Sequence, residues 1–174
     1  MNLPWQNASS LAQVELIARS LKHWTGRDLL PGAPVSDPAR RHSSPSPDVA
    51  ESTAASEAFA EKIFRAPFVL VAHGTEADPV LNYGNQAALD LWEMSWAELT
   101  STPSRLTAEA PNREERARLL AAVTAHGFID DYSGIRISKN GRRFRILQAT
   151  VWNLIDRNGN YAGQAAMFSR WEFL

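Results

Sequence analysis

Residues 131–174 read DYSGIRISKNGRRFRILQATVWNLIDRNGNYAGQAAMFSRWEFL. Two Asn-Gly pairs, Asn140-Gly141 and Asn158-Gly159, punctuate runs rich in Ile, Phe, Val and Trp. Asn-Gly tolerates the positive φ of a tight hairpin turn, and the flanking residues suit a pleated, half-buried surface. The stretch is expected to form three long antiparallel strands. Their apolar face needs a second layer, which the rest of the chain must supply.

Working upstream, Asn112 and Glu115 cap a helix expected over 113–125, with Gly127 as its stop. Pro103 and Pro111 keep TPSRLTAEAP irregular. In YGNQAALDLWEMSW, residues 83–96, Gly84 permits a bend and Asn85 caps a helix Gln86–Glu93. Ala88, Leu91 and Trp92 share one face of it. Ser95 and Glu98 form a capping box that starts a second short helix, Trp96–Leu99. Before these, AEKIF reads as a short helix ended by Pro67, APFVLVAHG as a buried strand closed by Gly74, and Val80 to Tyr83 as a short strand. The expected fold is α+β: a five-stranded antiparallel sheet with short helices on one face, plus an N-terminal helix.

That first helix is read over 10–26, with a Ser10–Gln13 capping box and Gly26 as its stop. Val14, Ile17, Leu21 and Trp24 recur at 3-4-3 spacing. The stripe suits packing on its own domain; read more sharply, it suits a coiled-coil seam in a dimer. Residues 31–56 hold half of the ten prolines and no aromatic residue. Such a segment buries too little apolar surface to offset the entropy of ordering, so it reads as a disordered linker. The expected organisation is 1–30 N-terminal helix, 31–56 linker and 57–174 α+β domain.

The 174 residues carry a formal net charge of −1 and are 44% hydrophobic. Neither nucleic acid nor an anionic membrane is expected as a partner on that balance. There is no cysteine, which removes disulfides, thiolate metal sites and cysteine nucleophiles. MNLPWQNASSL lacks the features of a signal peptide, and no run approaches a membrane span. A cytoplasmic location is the expectation.

Five pieces, SLKHWTGRDLL, HGTEADPVLNYGNQAALDLWEMSW, TPSRLTAE, GFIDDYSGIRISKNGRRFRI and ATVWNLIDRNGNYAGQAAMFSRW, resemble in order the bacterial MEKHLA domain family. The same domain resembles the C-terminal region of plant class III homeodomain–leucine zipper transcription factors. The resemblance covers roughly 10–30 and 60–174 and implies a PAS-like sensor or interaction module. The six-letter string that names the family is absent here, as is any DNA-binding or kinase output region. The resemblance supplies no ligand, cofactor or reaction, so the cofactor stays unknown. Without cysteine, the flavin–thiol photochemistry of some PAS relatives is excluded; non-covalent flavin binding is not.

Few residues offer chemistry. Asp130 and Asp131 are adjacent on a strand, so their side chains point to opposite faces, and a solvated strand start is the better reading. The four histidines lack metal-ligand spacing. Asp156, Asn158 and Asn160 mimic the start of a calcium loop without its glycine or distal glutamate. Arg136, Arg142, Arg143 and Arg145 cluster on the first hairpin and read as a solvated face.

What remains is a pocket between sheet and helices. Trp92 would give its helical wall, Tyr83 and Asn85 its rim, and Arg105 would lie beside it. His73 ends the first strand at its edge. Tyr132, Gln148, Trp152 and Gln164 lie on the β strands, and around Gln148 the inward parity is ambiguous. The expected function is a non-catalytic sensory or interaction module that binds a small-molecule ligand, a signalling partner or a second copy of itself. Two alternatives stand beside it. One is a small enzyme using His73, Tyr132 and Asp131 as acid–base groups. The other is a solid-cored interaction domain with an exposed patch around Trp171 and Phe173.

Overall fold

The computed structural model describes residues 3–31 and 49–174. Residues 32–48 of the expected linker lie outside them. The end of that linker is helical: α2 runs Val49–Phe64. Ala54, Ala55 and Ala58 favour helix although they stay exposed. Ala60, Ile63 and Phe64 anchor it in the core.

The N-terminal helix, α1, spans Ala8–Thr25. Asn7, not Ser10, caps it, accepting from the Ser10 N–H at 2.8 Å. Gly26 closes it in the left-handed conformation, φ +71°, and donates to Lys22 O. Val14, Ile17 and Leu21 are fully buried within the chain. The apolar stripe is therefore used against the domain's own sheet, and the dimer-seam reading of this helix is overturned.

The sheet contains β1 (Val69–His73), β2 (Leu81–Gly84), β3 (Phe128–Ile137), β4 (Arg143–Ile155), β5 (Tyr161–Phe168) and β6 (Arg170–Phe173). Its order is β2-β1-β5-β4-β3, with β6 paired to β4 beyond the end of β5, and every pairing is antiparallel. The two Asn-Gly turns lie where expected, with Gly141 at φ +87° and Gly159 at φ +83°. The last expected strand is split in two at Ser169.

The parity ambiguity at Gln148 has a physical cause. Between the pairs Ile129↔Val151 and Tyr132↔Ala149, β3 uses one residue more than β4; between Tyr132↔Ala149 and Gly134↔Ile146, β4 uses one more. The two bulges compensate, and each contains a non-glycine residue at positive φ, Asp131 at 62° and Gln148 at 53°. Phe144 and Ile146 are buried before the bulge, Ala149 and Val151 after it. Trp152 therefore faces the opposite side from Val151.

Both faces of the sheet are covered. On the outer face, α1 and α2 pack with Leu70, Ala72, Trp152, Leu154 and Ala165. The Trp152 indole donates to Ile17 O at 3.3 Å and the Trp24 indole to Asn153 O at 2.9 Å. On the inner face lie α3 (Gln86–Trp92) and α5 (Ala110–His126), while α4 (Trp96–Leu99) sits at the β2 edge, where Trp96 and Leu99 join the cluster that holds α1 and α2. The Ser95–Glu98 capping box is present as expected. Helix α5 starts three residues earlier than expected, because Pro111 occupies its first turn, where a missing N–H costs nothing.

Asn85 does more than cap α3. It is fully buried; its Oδ1 accepts from the Ala88 and Leu70 N–H groups at 3.2 and 3.0 Å. Its Nδ2 donates to Phe68 O and Ile63 O at 2.7 and 3.3 Å. One amide thus ties together the end of α2, β1 and α3. Asn85→Ala strands two buried backbone donors and is expected to destabilise the fold by about 3 kcal/mol. Urea unfolding measures this; a loss under about 1 kcal/mol would reduce Asn85 to an ordinary cap.

Candidate functional site

The β3–β4 hairpin holds the far end of α3. Lys139 N–H donates to Trp92 O at 3.0 Å, Ser138 Oγ donates to Glu93, and Lys139 pairs with Glu98. The Lys139 pairing, together with the Ser95 hydrogen bonds, lowers the Glu98 carboxyl pKa to about 2. The Trp92 ring packs edge-on against Phe144 and Phe168, with centroids 5.3 and 6.3 Å away. This explains why the short helix ends in a bulky aromatic: the ring plugs the inner face of the sheet.

Beside Trp92 is a cavity of about 60 Å³. His73 from β1, Val151 from β4, Gln164 and Ala166 from β5, Arg136 from β3 and Arg116 from α5 are among the residues that line it. Gln164 is buried, and its Nε2 lies 2.9 Å from Leu120 O, 3.1 Å from Thr124 Oγ1 and 3.1 Å from Asn153 Oδ1. Asn153 in turn donates to Val123 O at 3.0 Å. Two side-chain amides thus fasten the C-terminal half of α5 to the sheet.

His73 Nδ1 lies 2.8 Å from Gly74 O. A carbonyl only accepts, so Nδ1 carries the proton and Nε2 presents a lone pair. Nε2 is buried and meets no partner in hydrogen-bonding geometry among the described residues, although the Gln164 side chain stands beside the ring. Burial pushes the His73 pKa below its ordinary value and the Arg116 charge adds to the shift, against the Gly74 and Gln164 contacts and the Glu76 charge, so the environment favours the neutral ring. The Trp92 Nε1–H is also buried, with no acceptor among the described residues.

Of the nine residues expected at a pocket, the structure brings His73, Trp92 and Gln164 together on the cavity wall. The other six lie elsewhere. Tyr83 is buried against Trp96, ring centroids 5.7 Å apart, where burial pushes its phenol pKa up. Asn85 is saturated by backbone. Arg105 is half exposed and pairs with Asp78 at 3.0 Å. Tyr132 accepts a hydrogen bond from Arg136 at 3.1 Å. Gln148 is exposed and bonded to Arg170 at 2.7 Å. Trp152 is on the outer face.

The hairpin arginines are not one solvated face. Arg136 is buried, Arg142 lies over the Phe173 ring, and Arg143 pairs with Glu109 at 3.0 Å. Arg116 escaped sequence reasoning because REERARLL looks like any polar helix surface. Only the docking of α5 turns that residue inward. Asp130 is no free carboxylate either: it accepts from Thr150 at 2.6 Å and Arg27 at 2.8 Å, and the two bonds hold its pKa low against partial burial.

The MEKHLA domain family matches residues 11–173. The chain belongs to that family. Two relatives are plant proteins, the homeobox-leucine zipper proteins ATHB-9 and ATHB-14 of Arabidopsis thaliana, 30% and 28% identical over 100 residues. That region is 58% of this chain and 12% of either relative, so the MEKHLA domain here matches a small part of each. These relatives lend no support to the bacterial qualifier of the sequence resemblance.

Among solved structures the fold is similar to a PAS domain from Colwellia psychrerythraea: TM-score 0.56, 12% identity, covering 73% of this chain and 98% of that one. It is also similar to an RNA-binding light-oxygen-voltage receptor, with TM-score 0.57 and 16% identity, covering 80% of this chain and 36% of that one. A further light-oxygen-voltage domain, from a flavin-analogue study, gives TM-score 0.53 at 15% identity, covering 67% and 84%. The MEKHLA domain thus has an α+β, PAS-like fold. No helix among the described residues is long and apolar enough to cross a membrane.

Proposed function

We propose that this MEKHLA domain is a non-catalytic sensory module that binds a small molecule in the cavity beside Trp92. The observation that carries the reading is the pair of buried, unpartnered polar atoms on the cavity-lining residues, His73 Nε2 and Trp92 Nε1. Buried polar groups are almost always paired, so an unmet pair on one cavity wall invites a ligand. Strand β4 offers a route outward. Val151 faces the cavity while Trp152 and Asn153 engage α1. A ligand that favours one packing of α5 on the sheet would be felt at α1 through that strand.

The flavin of a light-oxygen-voltage domain does not fit. Pockets for ligands of that size span roughly 300–1,000 Å³, and this cavity holds about 60 Å³. The enzyme alternative gains nothing from the geometry. β5 and β4 separate β1 from β3, about 14 Å of backbone, and neither Asp131 nor Tyr132 lines the cavity. The cavity weighs against the solid-core alternative, which the 46% exposure of Phe173 on β6 supports.

Native mass spectrometry of the purified chain tests the reading and reports copy number in the same spectrum. The expected result is a small non-covalent adduct lost on denaturation. A bare chain that gains no mass from a metabolite mixture would count against it.

A further inference from the structure

The cavity is cationic: Arg116 and Arg136 line it, and no acid does so among the described residues. Arg116 makes no hydrogen bond or ion pair among the described residues. Its position beside Arg136 and its burial, the larger cause, bring its pKa to about 10, so it stays charged at neutral pH. Arg136 spends its guanidinium on Ile135 O, the Tyr132 hydroxyl and the Tyr132 ring face, none of them a carboxylate. Asp78, whose charge reaches Arg116, is already bound to Arg105. Two like charges beside one small cavity, with no carboxylate bonded to either among the described residues, are costly. Water would satisfy Trp92 and His73 but would not cancel the charge.

We propose that the cavity takes a short-chain carboxylate. Its oxygens would meet the Arg116 guanidinium and the Trp92 indole N–H, and its apolar stub would lie against Val71, Val151 and Ala166, all lining residues. Arg116 presents a planar fork matched to a carboxylate. The His73 Nε2 lone pair accepts from a hydroxyl or a water on the ligand. The size of the space restricts the acid to a compact one. The inference rests on the sensory reading above and names its ligand.

The test uses the full chain at fixed ionic strength, titrated with sodium acetate, propionate and pyruvate, with chloride and inorganic phosphate as comparison anions. Thermal shift and the Trp92 indole N–H resonance, assigned with Trp92→Phe, are the readouts. At least one carboxylate is expected to raise the melting temperature and move that resonance. Arg116→Met should weaken its affinity at least about tenfold, while the ligand-free protein stays as stable as wild type or becomes more so. Arg118→Gln, an exposed change on the same helix, should leave affinity intact.

Three results overturn the proposal: no carboxylate response, an equal response to chloride or phosphate, or full affinity in Arg116→Met. If any of these occurs while native mass spectrometry still finds an adduct, the carboxylate assignment fails and the sensory reading stands. A bare mass together with no titration response sinks both.

Discussion

Replacing Trp152 with alanine is expected to lower the free energy of unfolding by about 3–5 kcal/mol. The ring is wholly buried and sits where α1 crosses the outer face of β4. Its removal takes away both the transfer energy of a large aromatic and the surface on which α1 rests. Trp152→Phe should cost much less, since it keeps most of the volume and loses one long hydrogen bond of 3.3 Å. Urea denaturation of the two variants measures the difference. Near-equal losses would mean that the hydrogen bond, not the packing, holds the helix. An alanine loss under about 1 kcal/mol would place the ring outside the core.

Gly163→Ala is expected to lower the melting temperature by about 10 °C or more. Its φ is +122°, and a Cβ added there would lie 2.0 Å from His73 O, a backbone atom that cannot swing aside. Backbone strain of about 1–3 kcal/mol adds to the separation of β1 from β5, which pair at His73 and Gln164. Gly141 makes a fitting comparison. It also has positive φ, +87°, yet nothing lies within 4 Å of its absent Cβ. Gly141→Ala should therefore show only the turn strain, about 1–2 kcal/mol. Thermal unfolding of both variants settles the point, and equal shifts would mean that the close approach to His73 O carries no energy.

The parts legible in the sequence are those decided within a few residues. Asn85 and Ser95 announce helix starts because each cap is made by one side chain and the backbone three residues on. Asn140-Gly141 and Asn158-Gly159 announce turns through their own allowed φ. The illegible parts need distant neighbours. Nothing in RFRILQATVW says that Gln148 adopts a positive φ, because only the matching bulge at Asp131 makes that geometry tolerable. With that flip unseen, Trp152 read as a cavity residue instead of an outer-face anchor.

The cavity wall was legible in proportion to how apolar its residues were. Trp92 stood out on a helix face. Gln164 stood out as a polar residue on a strand otherwise suited to burial. Arg116 and Arg136 carry their charge on long stems, and a guanidinium can end in water or under a helix with no change in local pattern. The start of α2 was missed for a related reason: scarcity of apolar side chains argues against burial, not against helix.

The seating of α1 on the far side of the sheet has a consequence for how this chain could be divided. Trp152 and Leu154 are shielded by residues encoded more than a hundred positions earlier. A chain begun at residue 57 would carry every strand and still bring that greasy surface into water. Cut between 32 and 48, the two pieces would each hold part of a single interior, as the halves of a split reporter do.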